Sequence, residues 1–195
     1  MPNVNTPRGF RTVNSVAGAP YSGAIGEYRI ASGSANTICQ GDAVKLLATG
    51  YVDRAGAATA IRGIFVGVRY TQADGTPKFD NKWIGGTVTL GAGDAVALVH
   101  DDAGLVVEAK FTGAATNPAL ADIGQLYDLA DATGSSTTGL SAQGVDITTA
   151  ATSLKQFRFL GFVARPDNDT ASSTSAYAAG RFALVNHDYR LQTGI

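Results

Sequence analysis

GDAVALVHDDAGLVVEAKF, residues 93–111, places two apolar runs rich in Val and Leu on either side of a short polar turn. Runs of this length, bounded by Gly and Asp and rich in β-branched residues, read as strands, being too short for helices. The phrase returns at residues 41–52, GDAVKLLATGYV, with Gly-Asp-Ala-Val, an apolar run, a Gly-containing turn and a second apolar run. Two hairpins are therefore expected, with Gly50 and Gly104 relieving the backbone restriction at the reversals. Recurrent turn chemistry and an old duplication both account for the echo.

Outward from these phrases the texture is the same. EYRIA (27–31), RGIFVGVRY (62–70), GTVTL (86–90), QLYDLA (125–130), FRFLGFVA (157–164) and GRFALVNH (180–187) are further strand candidates. Many short strands with regular turn signals predict an all-β barrel or sandwich. Only NPALADIG, residues 117–124, invites a helical turn.

Composition narrows the function classes. Apolar residues make up 45% and charged residues 16%, with 24 glycines, which is the balance of a turn-rich globular chain. Cys39 is the only cysteine, so no intrachain disulfide forms and stability must come from packing, β-pairing or subunit association. The net charge is −1, with no run of Lys and Arg to release phosphate counterions, so nucleic acid is not an expected partner. No apolar stretch is long enough to span a membrane, and residues 1–30 lack a basic start and an apolar signal core, so neither membrane insertion nor export is expected.

Two segments stand out as contact elements. Residues 1–26 hold Pro2, Pro7 and Pro20, carry Arg8 and Arg11 without any acid, and show no sustained period; they read as an extended arm ahead of a β-domain over 27–195. Such an arm is either a frayed terminus or a segment ordered against a neighbouring protein, with Arg8, Phe10, Arg11 and Tyr21 as candidate contacts. TQADGTPKFDNKWIGG, residues 71–86, is too long for a tight hairpin and carries Phe79 and Trp83. Trp83 is either an interface anchor or a cap folded over the end of the barrel. A second long loop is expected at 165–180.

No familiar catalytic set is present. There is no nucleophile elbow and no phosphate-binding glycine motif, and the two histidines, His100 and His187, stand in no recognisable ligand order. His100-Asp101-Asp102 reads as a polar hairpin tip, and His187-Asp188-Tyr189, which closes the last strand, is read as a polar tip likewise. Cys39 reads as a small strand residue. Asp167-Asn168-Asp169 follows Pro166 and stops short of a calcium-loop pattern; it reads as a strand end in which Asp and Asn bond backbone. The sequon Asn168-Asp169-Thr170 has no meaning without export. No cofactor, metal or enzymatic activity is expected.

The ordered phrases GDAVKLLATGYV, GIFVGVRYTQADGTPKFDNKWIGGT, IGQLYDL, TGLSAQGVDI, FRFLGFVARPDND and RFALVNHDYRL, within residues 8–191, resemble capsid decoration or cement proteins of tailed bacteriophages. That resemblance implies a β-barrel or β-tulip domain with an extended N-terminal arm. It also implies a homotrimer on the outer surface of the virion, assembled in the host cytoplasm, that contacts the major capsid protein and reinforces the expanded shell. The alternative is a carbohydrate-binding β-sandwich, a receptor-binding or adhesion module, which would set Trp83, Tyr70 and nearby Asp residues on an exposed platform.

Overall fold

Among the described residues, short runs of Val, Ile, Phe and Leu separated by Gly and Asp form fourteen strands and two single-turn 3-10 helices. The computed structural model describes residues 3–91, 93–113, 118–153, 155–168 and 177–190. In chain order the strands begin with β1 (Arg11–Ser15), β2 (Gly26–Ile30), β3 (Ile38–Cys39), β4 (Ala43–Leu46), β5 (Val52–Arg54), β6 (Gly63–Thr71) and β7 (Pro77–Asp80). They continue with β8 (Lys82–Trp83), β9 (Ala95–His100), β10 (Leu105–Thr112), β11 (Leu126–Ala130), β12 (Gly144–Ala151), β13 (Phe157–Phe162) and β14 (Ala179–Leu184). The fold is all-β, as the sequence predicts, and among the described residues no helix is long and apolar enough to cross a membrane.

Five strands close a small barrel in the order β10-β12-β11-β13-β14, the ring being completed by the antiparallel ladder from Val106↔Ala183 to Lys110↔Ala179. Closure removes the exposed strand edges that would otherwise template aggregation. Phe111 lies at the centre, edge-on to Phe159 and Phe182 at ring distances of 5.0 Å and to Tyr127 at 5.4 Å. Each such fully buried side chain contributes about 1.5–3 kcal/mol by leaving water. A second sheet, β2-β9-β6-β4-β5, has its outer strands joined by the bridge between Arg29 and Tyr51, and encloses Ile30, Val44, Phe65, Val68, Trp83 and Val99.

The structure corrects five expectations. The 41–52 phrase does form the β4–β5 hairpin, with Gly50 at φ 82° in its turn. The 93–111 phrase does not form a hairpin: β9 lies in the second sheet between β2 and β6, while β10 belongs to the barrel, so residues 101–104 turn a corner between sheets. Both edges of β9 are already paired, which leaves no ladder for β10. Gly104 adopts no left-handed conformation; instead Ser15 Oγ sits where a side chain would go, 2.9 Å from a Cβ at that position.

GTVTL contributes only a bridge from Leu90 to Gln72, just past the end of β6 on the edge that β9 occupies from Val96 onward. Residues 71–86 are likewise no loose loop. β6 and β7 form a hairpin whose turn is closed by Gln72 N–H donating to Thr76 O at 2.9 Å and by Thr76 N–H donating to Asp74 Oδ1 at 2.9 Å. Residues 1–26 are not wholly an arm either. β1 pairs antiparallel with β10 from Arg11↔Glu108 to Ser15↔Leu105, and a register shift between Thr12 and Asn14 breaks the alternation that would have marked it as a strand. The helical turn expected in 117–124 is present as a 3-10 turn at Leu120–Asp122; Asn117 lies outside the described residues.

One buried acid sits at the heart of the repeated phrase. Asp42 is fully buried, and its Oδ2 accepts the Cys39 N–H at 2.7 Å. Burial pushes its carboxyl up to about 6 despite that bond. Because the folded state then holds the proton more tightly than the unfolded chain, this group's contribution to stability is greatest below about pH 4 and falls as pH rises toward 6. Asp42→Asn keeps the acceptor and removes the charge. Relative to this variant, the native chain is expected to lose about 2–3 kcal/mol between pH 4 and pH 7 in urea denaturation. Parallel pH profiles for the two would refute the assignment.

Candidate interaction surfaces

The N-terminal segment is clasped to the barrel by charge. Glu108, buried on β10, pairs with Arg8 Nη2 at 3.0 Å and with Arg165 Nη1 at 2.6 Å. Beside it, Lys110 Nζ donates to Asn5 Oδ1 at 2.6 Å and to Thr6 O at 3.3 Å. These contacts hold residues 5–8 and the chain after β13 against one wall and line a cleft of about 310 Å³. Arg165 also meets Asp167 at 3.4 Å, so both acids of the cleft are paired within it. Asn168 secures the same turn through its side-chain amide, which bonds Val163 O, Ala179 O and Ala179 N at 2.8 Å each. Asn168 thus bonds backbone at the strand end as the sequence predicts, whereas Asp167 pairs with the Arg165 side chain; Asp169 and Thr170 of the sequon, and residues 169–176 of the expected 165–180 loop, lie outside the described residues.

Of the candidate contact residues, two face inward. Phe10 is only 3% exposed and stacks on Phe157 with ring centroids 4.8 Å apart and planes 13° from parallel. Trp83 is 1% exposed and meets Tyr70 edge-on at 5.9 Å. Neither is offered to a partner, and the exposed platform required by the carbohydrate-binding alternative is not formed around Trp83. Tyr21 is half-buried, donates its hydroxyl to Ala24 O and packs against the His100 ring at 4.6 Å.

The remaining candidates are exposed. Phe79 stands on the outer face of β7, 76% exposed, at the end of a hairpin in which residues 71 and 73–79 are all exposed. Arg11 is exposed at the start of β1 and makes no ion pair among the described residues. It lies at the mouth of a mainly apolar groove of about 290 Å³ along the seam between the barrel and the second sheet. Phe10, Ile64 and Phe65 form the floor of this groove, and Val66 and Leu140 its sides. Among the described residues no carboxylate lines it.

Val66 and Leu140 carry no local signal for this role. Val66 is turned out by the register shift between Phe65 and Gly67 where β6 meets β9. A third exposed apolar feature was visible in the sequence as LADI but not recognised: Leu120, 75% exposed, with the half-exposed Ile123 and, on β13, Leu160.

The histidines divide. His100 pairs its Nδ1 with Thr12 Oγ1 at 2.9 Å, Asp101 accepts the Tyr28 hydroxyl at 2.6 Å, and Asp102 accepts the Gly104 N–H at 2.7 Å, so this group is the polar turn expected of it. His187 is not a polar tip. It is fully buried, burial holds its imidazole below the usual value, and its Nδ1 accepts the Tyr189 N–H at 3.1 Å. Next to it Asp188 pairs with Arg62 at 2.7 Å, both side chains buried, while the Arg62 guanidinium lies 4.1 Å from the Tyr189 ring centroid.

Cys39 is buried on β3, and its thiol is pushed up to about 11 chiefly by burial, which leaves it inert at neutral pH. No group of three or more His, Cys, Asp or Glu is arranged to hold a metal among the described residues. Compared with protein-family models, with curated proteins and with solved structures, the chain matches none of them.

Proposed function

We propose that the chain is a structural protein of a tailed-phage head, seated on the outer surface of the capsid against the major capsid protein, where it reinforces the shell and associates with copies of itself. The observation that carries this reading is Phe79, 76% exposed on a β-hairpin whose backbone is fixed by its own ladder. A large aromatic on a rigid support sacrifices little freedom on docking and is the residue type that dominates protein interfaces. The resemblance of GDAVKLLATGYV and the phrases after it to head decoration proteins supports the choice of partner.

Phe79→Asp is expected to lower occupancy on heads at least tenfold while leaving the melting temperature within about 2 °C, since exposed substitutions away from special features change stability little. Heads stripped of the protein are expected to rupture at lower temperature or milder osmotic shock than complete ones. Undiminished occupancy of the variant removes the hairpin from the contact; equal rupture of stripped and complete heads removes reinforcement.

A further inference from the structure

Two surface features complement each other in apolar character and charge. The first is the 3-10 turn Leu120–Asp122 with Ile123 behind it. Its N–H groups are tied back to Ala119 O and Leu120 O, and Gly124 N–H donates to Phe159 O at 2.8 Å, so the turn is fixed to β13. Asp122 Oδ2 accepts the Ala119 N–H at 2.7 Å, which holds a carboxylate beside two exposed aliphatic side chains. The second is the seam groove, apolar in its floor and sides, with the cation Arg11 at its mouth; among the described residues Arg11 makes no ion pair and no acid lines the groove.

β11 separates them. The turn precedes Leu126 at one end of this strand, and at the other end Asp131 pairs with Arg54 of the second sheet at 3.3 Å, beside the seam. At about 3.3 Å per residue the strand alone spans roughly 13 Å.

We propose that copies of this chain associate head to tail, Leu120 and Ile123 of one copy entering the seam groove of the next and Asp122 facing its Arg11. The contact joins unlike surfaces, so it is heterologous: repeated, it closes a ring if the rotation permits and otherwise propagates. The inference rests on the self-association in the reading above and is independent of the shell partner.

Sedimentation velocity on the full chain tests it, with one variant damaged in the turn (Leu120→Glu with Ile123→Glu) and one damaged in the groove (Arg11→Glu with Leu140→Asp). The native chain is expected to assemble with rising concentration, and each variant to remain monomeric at concentrations at least tenfold higher. Because each variant keeps the surface the other has lost, an equimolar mixture is expected to give a one-to-one complex and nothing larger. Unchanged melting temperatures certify the variants; where one unfolds, Leu120→Ser with Ile123→Ser, or Arg11→Ala, takes its place. A native chain that stays monomeric at millimolar concentration, variants that assemble normally, or a mixture that yields no complex overturns the proposal. Assembly that follows this pattern in a protein that fails to bind heads sinks the shell reading alone.

Discussion

Phe10→Ala is expected to destabilise the fold by about 3–5 kcal/mol in urea or thermal denaturation, the range for removing a buried Phe from a packed site. The ring is stacked on Phe157 at 4.8 Å, and the backbone N–H of Phe10 donates to Gly41 O at 2.8 Å, so the residue joins the barrel to the turn before β4. Truncation through Ser15 removes this ring and the whole β1 ladder to β10, and is expected to leave a chain that does not fold cooperatively. A truncated chain with native stability would return residues 1–15 to the status of a detachable arm. Arg8 and Arg11 stay exposed on either side of this buried ring, so the segment presents them without being free to detach.

Asp188→Ala is expected to cost about 3–5 kcal/mol, because it strands the Arg62 guanidinium in a site where both side chains are almost wholly buried. Arg62 also lies over the Tyr189 ring at 4.1 Å, and Asp188 N–H donates to Ile61 O at 3.2 Å, so this cluster pins the 3-10 turn at Asp188–Arg190 to the start of β6. The double variant Arg62→Met with Asp188→Leu is expected to recover most of the loss, since apolar replacement of a buried ion pair is often neutral or stabilising. Equal destabilisation by the single and the double variants would show that packing against Tyr189, and not an uncompensated charge, sets the cost.

Most strands were legible because their apolar runs are local: DAVALVH, GLVVEAKF and FRFLGFVA each pack a face with Val, Leu or Phe. Which strands pair was not, since that depends on edges contributed from far along the chain. The Gly-Asp-Ala-Val echo shows the limit: the same phrase makes a hairpin at 41–52 and a corner between sheets at 93–107. β12 stayed hidden because GVDITTAA mixes Thr, Asp and Ala, and owes its place to ladders with β10 and β11.

The contact residues tell a similar story. Phe79 and Trp83 are four residues apart, a spacing that puts both on one face of a continuous strand. The strand breaks at Asn81, with β7 pairing with β6 and β8 pairing with β3, and one ring is exposed while the other is buried. Arg8 and Arg11 were visible as the only charges of the first 26 residues, but Arg8's engagement with Glu108, a hundred residues away, was not. The buried pair of Arg62 and Asp188 escaped notice for the same reason.

Co-sedimentation of the purified chain with expanded heads of the tailed phage that carries it, prepared without this protein, tests the central claim most directly. Saturable binding at a fixed number of copies per head, weakened at least tenfold by Phe79→Asp, is the result expected. A chain that remains in the supernatant at saturating concentration, with its fold intact, would contradict the assignment to the capsid surface.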